Sequence, residues 1–328
     1  LHIYNKRFST LKVPSLLFRI FFLRLLLEQV FIPLLCFRHN INVLHSLHYS
    51  LPLLPLKVKK VVTIHDLTFY RFPELHQVVK RYYFRFFTRA SVKLADRVIC
   101  VSQSTLNDLK SILQSDASNA TVVHLATSKI YRPNYSKIEV EQIKAIYNIK
   151  SDYILFIGTL EPRKNIETLI RAFFNYLSSS HKTPLELVIV GKKGWYYESI
   201  FKLVNNSSFS SKVIFTDYIP EDHKPILLNG CKVFAYTSLY EGFGIPVLEA
   251  LACGVPVITS NVSSMPEVAG EAAKLVDPHN EHEIQSSIAS LIQQDDKERE
   301  ATRLKALEQA AKFSWCHTAS KTLAVYTN

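Results

Sequence analysis

Two carboxylates, two glycines and a proline stand close together in Ser238-Leu239-Tyr240-Glu241-Gly242-Phe243-Gly244-Ile245-Pro246-Val247-Leu248-Glu249-Ala250. Gly242 and Gly244 let the backbone turn and come close to a ligand. Pro246 suits the first turn of a helix, where its missing N–H has no intrahelical partner. Unpaired N–H groups at such a helix start attract an anion. Glu241, in the loop, is placed to accept hydrogen bonds from sugar hydroxyls, and Glu249, a turn or so into the helix, to take a second diol of the same ligand. Two diol acceptors with amide donors and Phe243 between them suit a nucleotide sugar.

Gly158-Thr159-Leu160-Glu161-Pro162-Arg163-Lys164-Asn165 follows an apolar strand and opens a helix. That position puts Arg163 and Lys164 where the charge of a departing diphosphate would collect. Thr63-Ile64-His65-Asp66 ends another strand, and the His65 imidazole can donate or accept a hydrogen bond there. A packed structural histidine is the other reading of His65. The two glutamates make a poor hydrolase pair. Eight residues of continuous helix span ~12 Å by rise, whereas glycoside hydrolases hold their carboxyls ~5 to 9.5 Å apart across one bond.

The Glu-x7-Glu spacing inside EGFGIPVLEA resembles the family-four retaining glycosyltransferases of the GT-B fold. The likeness continues through GTLEPRKN, Val188-Ile189-Val190-Gly191, Ala252-Cys253-Gly254-Val255-Pro256-Val257-Ile258 and Pro266-Glu267-Val268-Ala269-Gly270, covering most of residues 150 to 280. The resemblance implies an α/β chain of two Rossmann-like, doubly wound parallel-sheet domains facing a cleft. It implies that His65, Glu241, Arg163 and Lys164 act at the reacting centre, and that Gly158, Thr159, Gly191, Gly242, Phe243, Gly244 and Glu249 hold the donor. Many members have an arginine where this chain has Thr159, which puts more weight on Arg163 and Lys164.

The resemblance further implies retention by same-face attack, with the departing phosphate helping to deprotonate the acceptor. It implies no metal and no cofactor, the nucleotide sugar being a substrate. The motif set looks most like bacterial mannosyltransferases that build surface polysaccharide from GDP-mannose, with UDP-sugars as the alternative donor. The alternatives are a nucleotide-sugar epimerase or a phosphorylase, which reuse the two-domain architecture, and, from another class, a non-catalytic nucleotide- or membrane-binding protein. A dinucleotide dehydrogenase does not fit, because Gly191-Lys192-Lys193-Gly194 is not G-x-G-x-x-G.

The elements that must position these residues can be read in outline. The chain has 328 residues, enough for two domains, and its 48% apolar and 20% charged content is that of a soluble globular protein. Apolar β-branched runs at 43–46, 61–65 and 97–101 alternate with helical stretches, and a second series runs through 153–157, 185–190, 213–215, 233–236 and 255–259. Such alternation predicts two parallel sheets covered on both faces. The expected division is an acceptor-binding domain over 1–135, a linker over 136–150, a nucleotide-sugar domain over 151–313, and a helix over 314–328 returning to the first domain. All eight glycines lie at or beyond position 158. Family members usually open on a methionine, a first strand and a glycine-rich loop, so the extreme N-terminus is expected to be missing.

Charge divides as unevenly. Residues 1–150 carry 22 Lys/Arg against 8 Asp/Glu, and residues 151–328 carry 17 against 20, giving +14 and −3. The basic half calls for an anionic partner. No helix-turn-helix, zinc or RNP-like signature points to nucleic acid, whereas anionic headgroups or a lipid-linked diphosphate acceptor suit it. The apolar segment 14–37, broken by Arg19, Arg24 and Glu28, has no uncharged run of the ~18 residues that crosses a bilayer. It reads as a membrane-surface helix or as a core-packed one, with Arg24 and Glu28 pairing at i, i+4. Arg81, Arg85, Arg89 and Lys93 recur every four residues on a helix expected over 77–95, forming a ridge for an anionic membrane or simply a solvated face. The setting expected is cytoplasmic, peripheral at the inner face of the membrane. Five scattered cysteines form no C-x-x-C and no metal cluster, as in a reducing compartment.

Overall fold

The computed structural model describes residues 21–75, 77–179 and 184–327. The expected Arg24–Glu28 pair and the first part of the 14–37 segment lie outside what is described.

Two wholly parallel sheets organise the described chain. The first holds β1 (Val43–Ser46), β2 (Lys59–Ile64), β3 (Arg97–Cys100) and β4 (Ala120–Val122), in that spatial order. Its two inner strands, β2 and β3, carry the residues buried on both faces. Val62, Ile64, Val98 and Cys100 pack with Val92 and Leu109 of the helices on one side, while Val61 and Ile99 pack with Val123 and Val325 on the other. The period-two alternation of a strand makes this division, and burial on both sides explains the unbroken apolar runs.

The second sheet holds β5 (Asp152–Ile157), β6 (Leu185–Val190), β7 (Val213–Asp217), β8 (Val233–Tyr236), β9 (Val257–Ser260) and β10 (Ala273–Val276) in the order β10-β9-β8-β5-β6-β7. The chain winds outward from β5 to β7, then returns to place β8 on the other side of β5. The order therefore reverses between β5 and β8, and the C-terminal ends of those two strands mark the switch point, the place where such sheets bind their ligands.

Residues 136–150, expected as a linker, contain the Lys137–Ile146 helix, opened by a Ser136–Glu139 capping box and packed on the His223–Gly230 helix of the second domain. The Trp315–Thr327 helix lies across the first domain. Tyr326 hydrogen-bonds His45 Nδ1 at 2.6 Å, its carbonyl accepts from Lys59 Nζ, and Val325 enters the first sheet's core.

The basic helix spans Val78–Leu94. Its expected ridge of four cations is divided in the structure. Arg85 donates Nε–H to the Phe69 carbonyl at 2.8 Å and lies over the Tyr70 ring, so it pins a neighbouring turn, whereas Arg89 and Lys93 face solvent. Ahead of it, the helical stretches Phe21–Leu26, Leu27–Phe31 and Ile32–Arg38 follow one another directly. Glu28, Gln29, Pro33 and Cys36 face the domain, with Glu28 accepting from Ser50 and Gln29 bonding the Leu51 and Leu53 backbone. Leu26, Val30, Leu34 and Phe37 form an exposed apolar stripe on the same stretch. No described helix is long and apolar enough to cross a membrane.

Candidate active site

The loops after β5 and β8 are laced together at the switch point. The Arg163 carbonyl accepts from Leu239 N at 2.9 Å and from Ser238 Oγ at 3.0 Å. Asn165, in a left-handed conformation, donates its amide to the Thr237 and Pro278 carbonyls. These ties fix the two cationic side chains against Glu241. Glu241 Oε1 lies 2.6 Å from Lys164 Nζ and 2.8 Å from an Arg163 guanidinium nitrogen, and accepts from Ser238 Oγ at 2.7 Å and Tyr236 OH at 3.0 Å. Arg163 also pairs with the buried Glu161 at 2.5 Å, and Lys164 also donates to Tyr236 OH at 2.6 Å. The backbone of Glu241 is held too, by Ser263 and Ser264.

The electrostatics follow from burial and pairing. Burial alone would raise the Glu241 carboxyl, but the nearby charges of Lys164 and Arg163 outweigh it and hold the group down at about 2. Burial works on Lys164 as well and pulls its ammonium below the ordinary range. Arg163 keeps its proton, because Glu241 and Glu161 overcome its desolvation. Two cations and two carboxylates thus share one nearly dry cluster. Its net charge is close to zero, and the cations are positioned by internal partners.

Gly242 and Gly244 shape the next turn for different reasons. A Cβ on Gly242 would lie 1.8 Å from the His65 carbonyl oxygen, so its bareness lets the backbone of one domain press on the other. The Gly242 carbonyl accepts from Ser102 Oγ at 2.6 Å across the same junction. Gly244 stands at φ +101° as the N-cap of the Ile245–Ala252 helix, a conformation that L side chains rarely adopt. Pro246 then occupies the first turn, and the helix opens without a side-chain cap. Tyr240 closes the junction by donating to Asp108 at 2.7 Å.

A cavity of about 510 Å³ opens over this arrangement, within the size range of small-ligand sites. His65, Gly158, Thr159, Arg163, Lys164, Glu241, Gly242, Phe243 and Gly244 all line it, so the chain brings nine of the eleven expected positions together. Phe243 is mostly buried, its ring near those of His124 and Phe313. His65 Nε2 lies 2.7 Å from the Leu47 carbonyl. That contact needs an N–H on Nε2, which in the neutral ring leaves the lone pair on Nδ1. Asp66 caps the turn of Thr68 and does not touch the His65 ring hydrogen bond.

Two expected residues are placed elsewhere. Gly191 packs against the first loop, where a Cβ would meet the Gly158 carbonyl at 1.8 Å, and it does not line the cavity. Glu249 points to the far side of its helix, toward Tyr131, Glu221 and Lys224, where burial and the Glu221 charge raise its carboxyl to about 7. Tyr236, Ser238, Glu161 and Trp195 belong to the site and were not singled out from the sequence. Glu161 stands inside GTLEPRKN, two residues before the arginine that it holds, and that spacing was available as a signal. Tyr236 reads as one more strand residue in an apolar run, and only the sheet order shows that its hydroxyl ends at the switch point.

Residues 139–309 match the sequence profile described as "Glycosyl transferases group 1", and residues 4–127 match "Glycosyltransferase Family 4". The chain belongs to the group 1, family four glycosyltransferases. It is 33% identical over 275 residues to the O-antigen chain mannosyltransferase B of Escherichia coli, covering 83% of this chain and 71% of that one. It is 32% identical over 243 residues to the serotype-specific mannosyltransferase WbdA of the same organism, 73% of this chain but only 29% of that longer protein. Sucrose-phosphate synthase from Thermosynechococcus elongatus superposes with a TM-score of 0.74 at 20% identity, over 90% of this chain and 75% of that one. The two sheets are thus the two halves of a GT-B glycosyltransferase.

Proposed function

We propose that the protein is a retaining hexosyltransferase that moves mannose from GDP-mannose to a saccharide or lipid-linked acceptor in surface-polysaccharide synthesis. The observation that carries this reading is the cluster of Arg163, Lys164 and Glu241 at the switch point, in a chain that resembles an O-antigen mannosyltransferase over most of its length. The donor diphosphate would lie between the Gly158–Lys164 loop and the start of the Ile245–Ala252 helix. Arg163 and Lys164 stabilise it most as the glycosidic bond breaks and charge passes to the phosphate. Glu241 is surrounded by cations and held ionised at about 2, which makes it a weak base and a weak nucleophile. This favours same-face attack assisted by the departing phosphate over a covalent glycosyl-enzyme. His65, with Nδ1 unengaged by Leu47, supplies a hydrogen-bond acceptor on the sugar side.

The first domain is the part suited to a membrane-held acceptor. Exposed Val79, Tyr82 and Phe86 stand on the same helix as Arg89 and Lys93, beside the apolar stripe that ends at Phe37. Apolar anchors next to basic groups suit the anionic inner face of a bacterial membrane.

The test is a panel of GDP-mannose, UDP-glucose and UDP-N-acetylglucosamine, each offered with a mannose-terminated acceptor, with the product anomer read by NMR. The reading expects transfer from GDP-mannose to give an α-mannoside. Preference for a UDP-sugar would overturn the donor, and a β-mannoside would overturn retention.

A further inference from the structure

The Gln103–Leu113 helix of the first domain and the Ser102 that caps it send a row of polar side chains into the junction between the domains. Ser102, Thr105 and Asp108 are spaced by three, so they share one face, and all three are buried. Ser102 Oγ and Thr105 Oγ1 donate to the Gly242 carbonyl at 2.6 and 3.2 Å. Asp108 meets the same loop further along, accepting from the Tyr240 hydroxyl at 2.7 Å, while its other oxygen takes Arg71 Nε at 3.1 Å.

Tyr240 touches both halves of the site. Its hydroxyl accepts from the Leu67 N–H at 3.1 Å, two residues beyond His65, and its carbonyl accepts from the Arg163 guanidinium at 2.7 Å. The hydroxyl has one proton to give, and giving it to Asp108 turns its lone pairs toward Leu67. Burial and then the Asp108 charge push the phenol far above its ordinary range, so that proton stays in place. Neither Tyr240 nor Asp108 lines the donor cavity. Nor is their bond needed to join the domains, because Ser102 on the Gly242 carbonyl and the Glu267 carboxylate on Gln103 N, at 2.9 Å, already do so. What it adds is a fixed orientation of Tyr240 between Leu67 and Arg163.

We infer that Asp108 is a positioning residue for the transfer: through the Tyr240 hydroxyl it sets the Arg163 guanidinium of one domain and the His65 turn of the other in a single frame. The inference rests on the glycosyltransferase reading above and adds a residue from outside the cavity. A shift of about 1 Å in a group that meets the reacting atoms can cost about a hundredfold in rate, so a brace of this kind acts on turnover.

Asp108→Ala, Tyr240→Phe and the double variant test it, by turnover and by calorimetry with GDP-mannose. Asp108→Ala should lower kcat at least about tenfold, with donor affinity within about twofold of wild type. An unchanged binding stoichiometry shows that the molecules are folded. Tyr240→Phe should lose a similar factor and the double variant no more, because both changes remove one connection. Asp108→Asn, which keeps an acceptor for the hydroxyl, should recover part of the loss. Equal losses in kcat and donor affinity, or single losses that multiply in the double variant, would overturn the inference. A second readout needs no turnover: in protein carrying isotope-labelled arginine, the NMR signal of the Arg163 guanidinium, assigned by its loss in Arg163→Lys, should shift in Asp108→Asn. An unmoved signal would overturn the inference too. Absence of transfer by wild type from every nucleotide sugar would overturn the glycosyltransferase reading instead, and the Arg163 signal would still decide whether Asp108 sets that guanidinium.

Discussion

Replacing Glu241 by Gln keeps the side chain's size and removes the charge that Lys164 and Arg163 share. The carboxyl is held at about 2 instead of the ordinary 4.5, a difference of about 2.5 units. At about 1.36 kcal/mol per unit this amounts to about 3 kcal/mol of stability at neutral pH. The same size is expected for stranding a buried cation by removing its partner, about 3–5 kcal/mol. Because the folded value is depressed, the contribution is complete above pH 4.5 and disappears as the pH falls toward 2. Linkage puts the loss at about 1 kcal/mol by pH 4 and about 2 kcal/mol by pH 3. Urea unfolding followed by tryptophan fluorescence in a Trp315→Phe background, which leaves Trp195 beside the site as the reporter, reads this domain's transition with Glu241 and with Glu241→Gln. The gap between them should be about 3 kcal/mol at pH 7 and should narrow by about 1 kcal/mol at pH 4. Equal stability at pH 7, or a gap that stays constant down to pH 4, would refute the ion-pair account of the cluster.

Arg163→Ala and Lys164→Ala should each lower kcat more than donor affinity, because charge on the diphosphate grows as the bond breaks; equal losses in both would contradict this. EDTA should leave activity intact, and a strict need for added divalent metal would count against the electrostatic scheme. Glu249 points away from the cavity, so Glu249→Gln should leave donor affinity by calorimetry unchanged; because burial raises its folded carboxyl to about 7, wild type should instead lose stability as the pH rises from about 4.5 to 7, a loss absent from the variant. Co-sedimentation should show stronger binding to anionic than to neutral vesicles, fading with salt and weakened by Arg89→Gln with Lys93→Gln; equal partitioning would leave the basic half an ordinary solvated surface.

The interior strands were legible because burial on both faces writes an unbroken β-branched run, as at 153–157 and 185–190. The two strands missed, β4 and β10, are the outer strands of their sheets, three and four residues long, with partly exposed positions that interrupt the apolar pattern. At the site, GTLEPRKN and EGFGIPVLEA announced the loops, yet not that Arg163 and Lys164 would be bound to Glu241. That pairing depends on β8 returning beside β5, a tertiary fact with no local signal. Gly242 was read as room for a ligand, and the space it leaves is taken up by the His65 carbonyl of the other domain. The evenly spaced cations of the 78–94 helix looked equivalent, but Arg85 meets a turn from outside the helix and leaves the ridge.

The most direct measurement is a crystal structure with bound GDP-mannose. The account predicts the diphosphate between the Gly158–Lys164 loop and the start of the Ile245–Ala252 helix, within hydrogen-bond reach of Arg163 and Lys164, with the mannose toward His65. A diphosphate bound instead in the groove between Arg71, Asp108 and Glu267, or one that leaves Arg163 and Lys164 untouched, would contradict it.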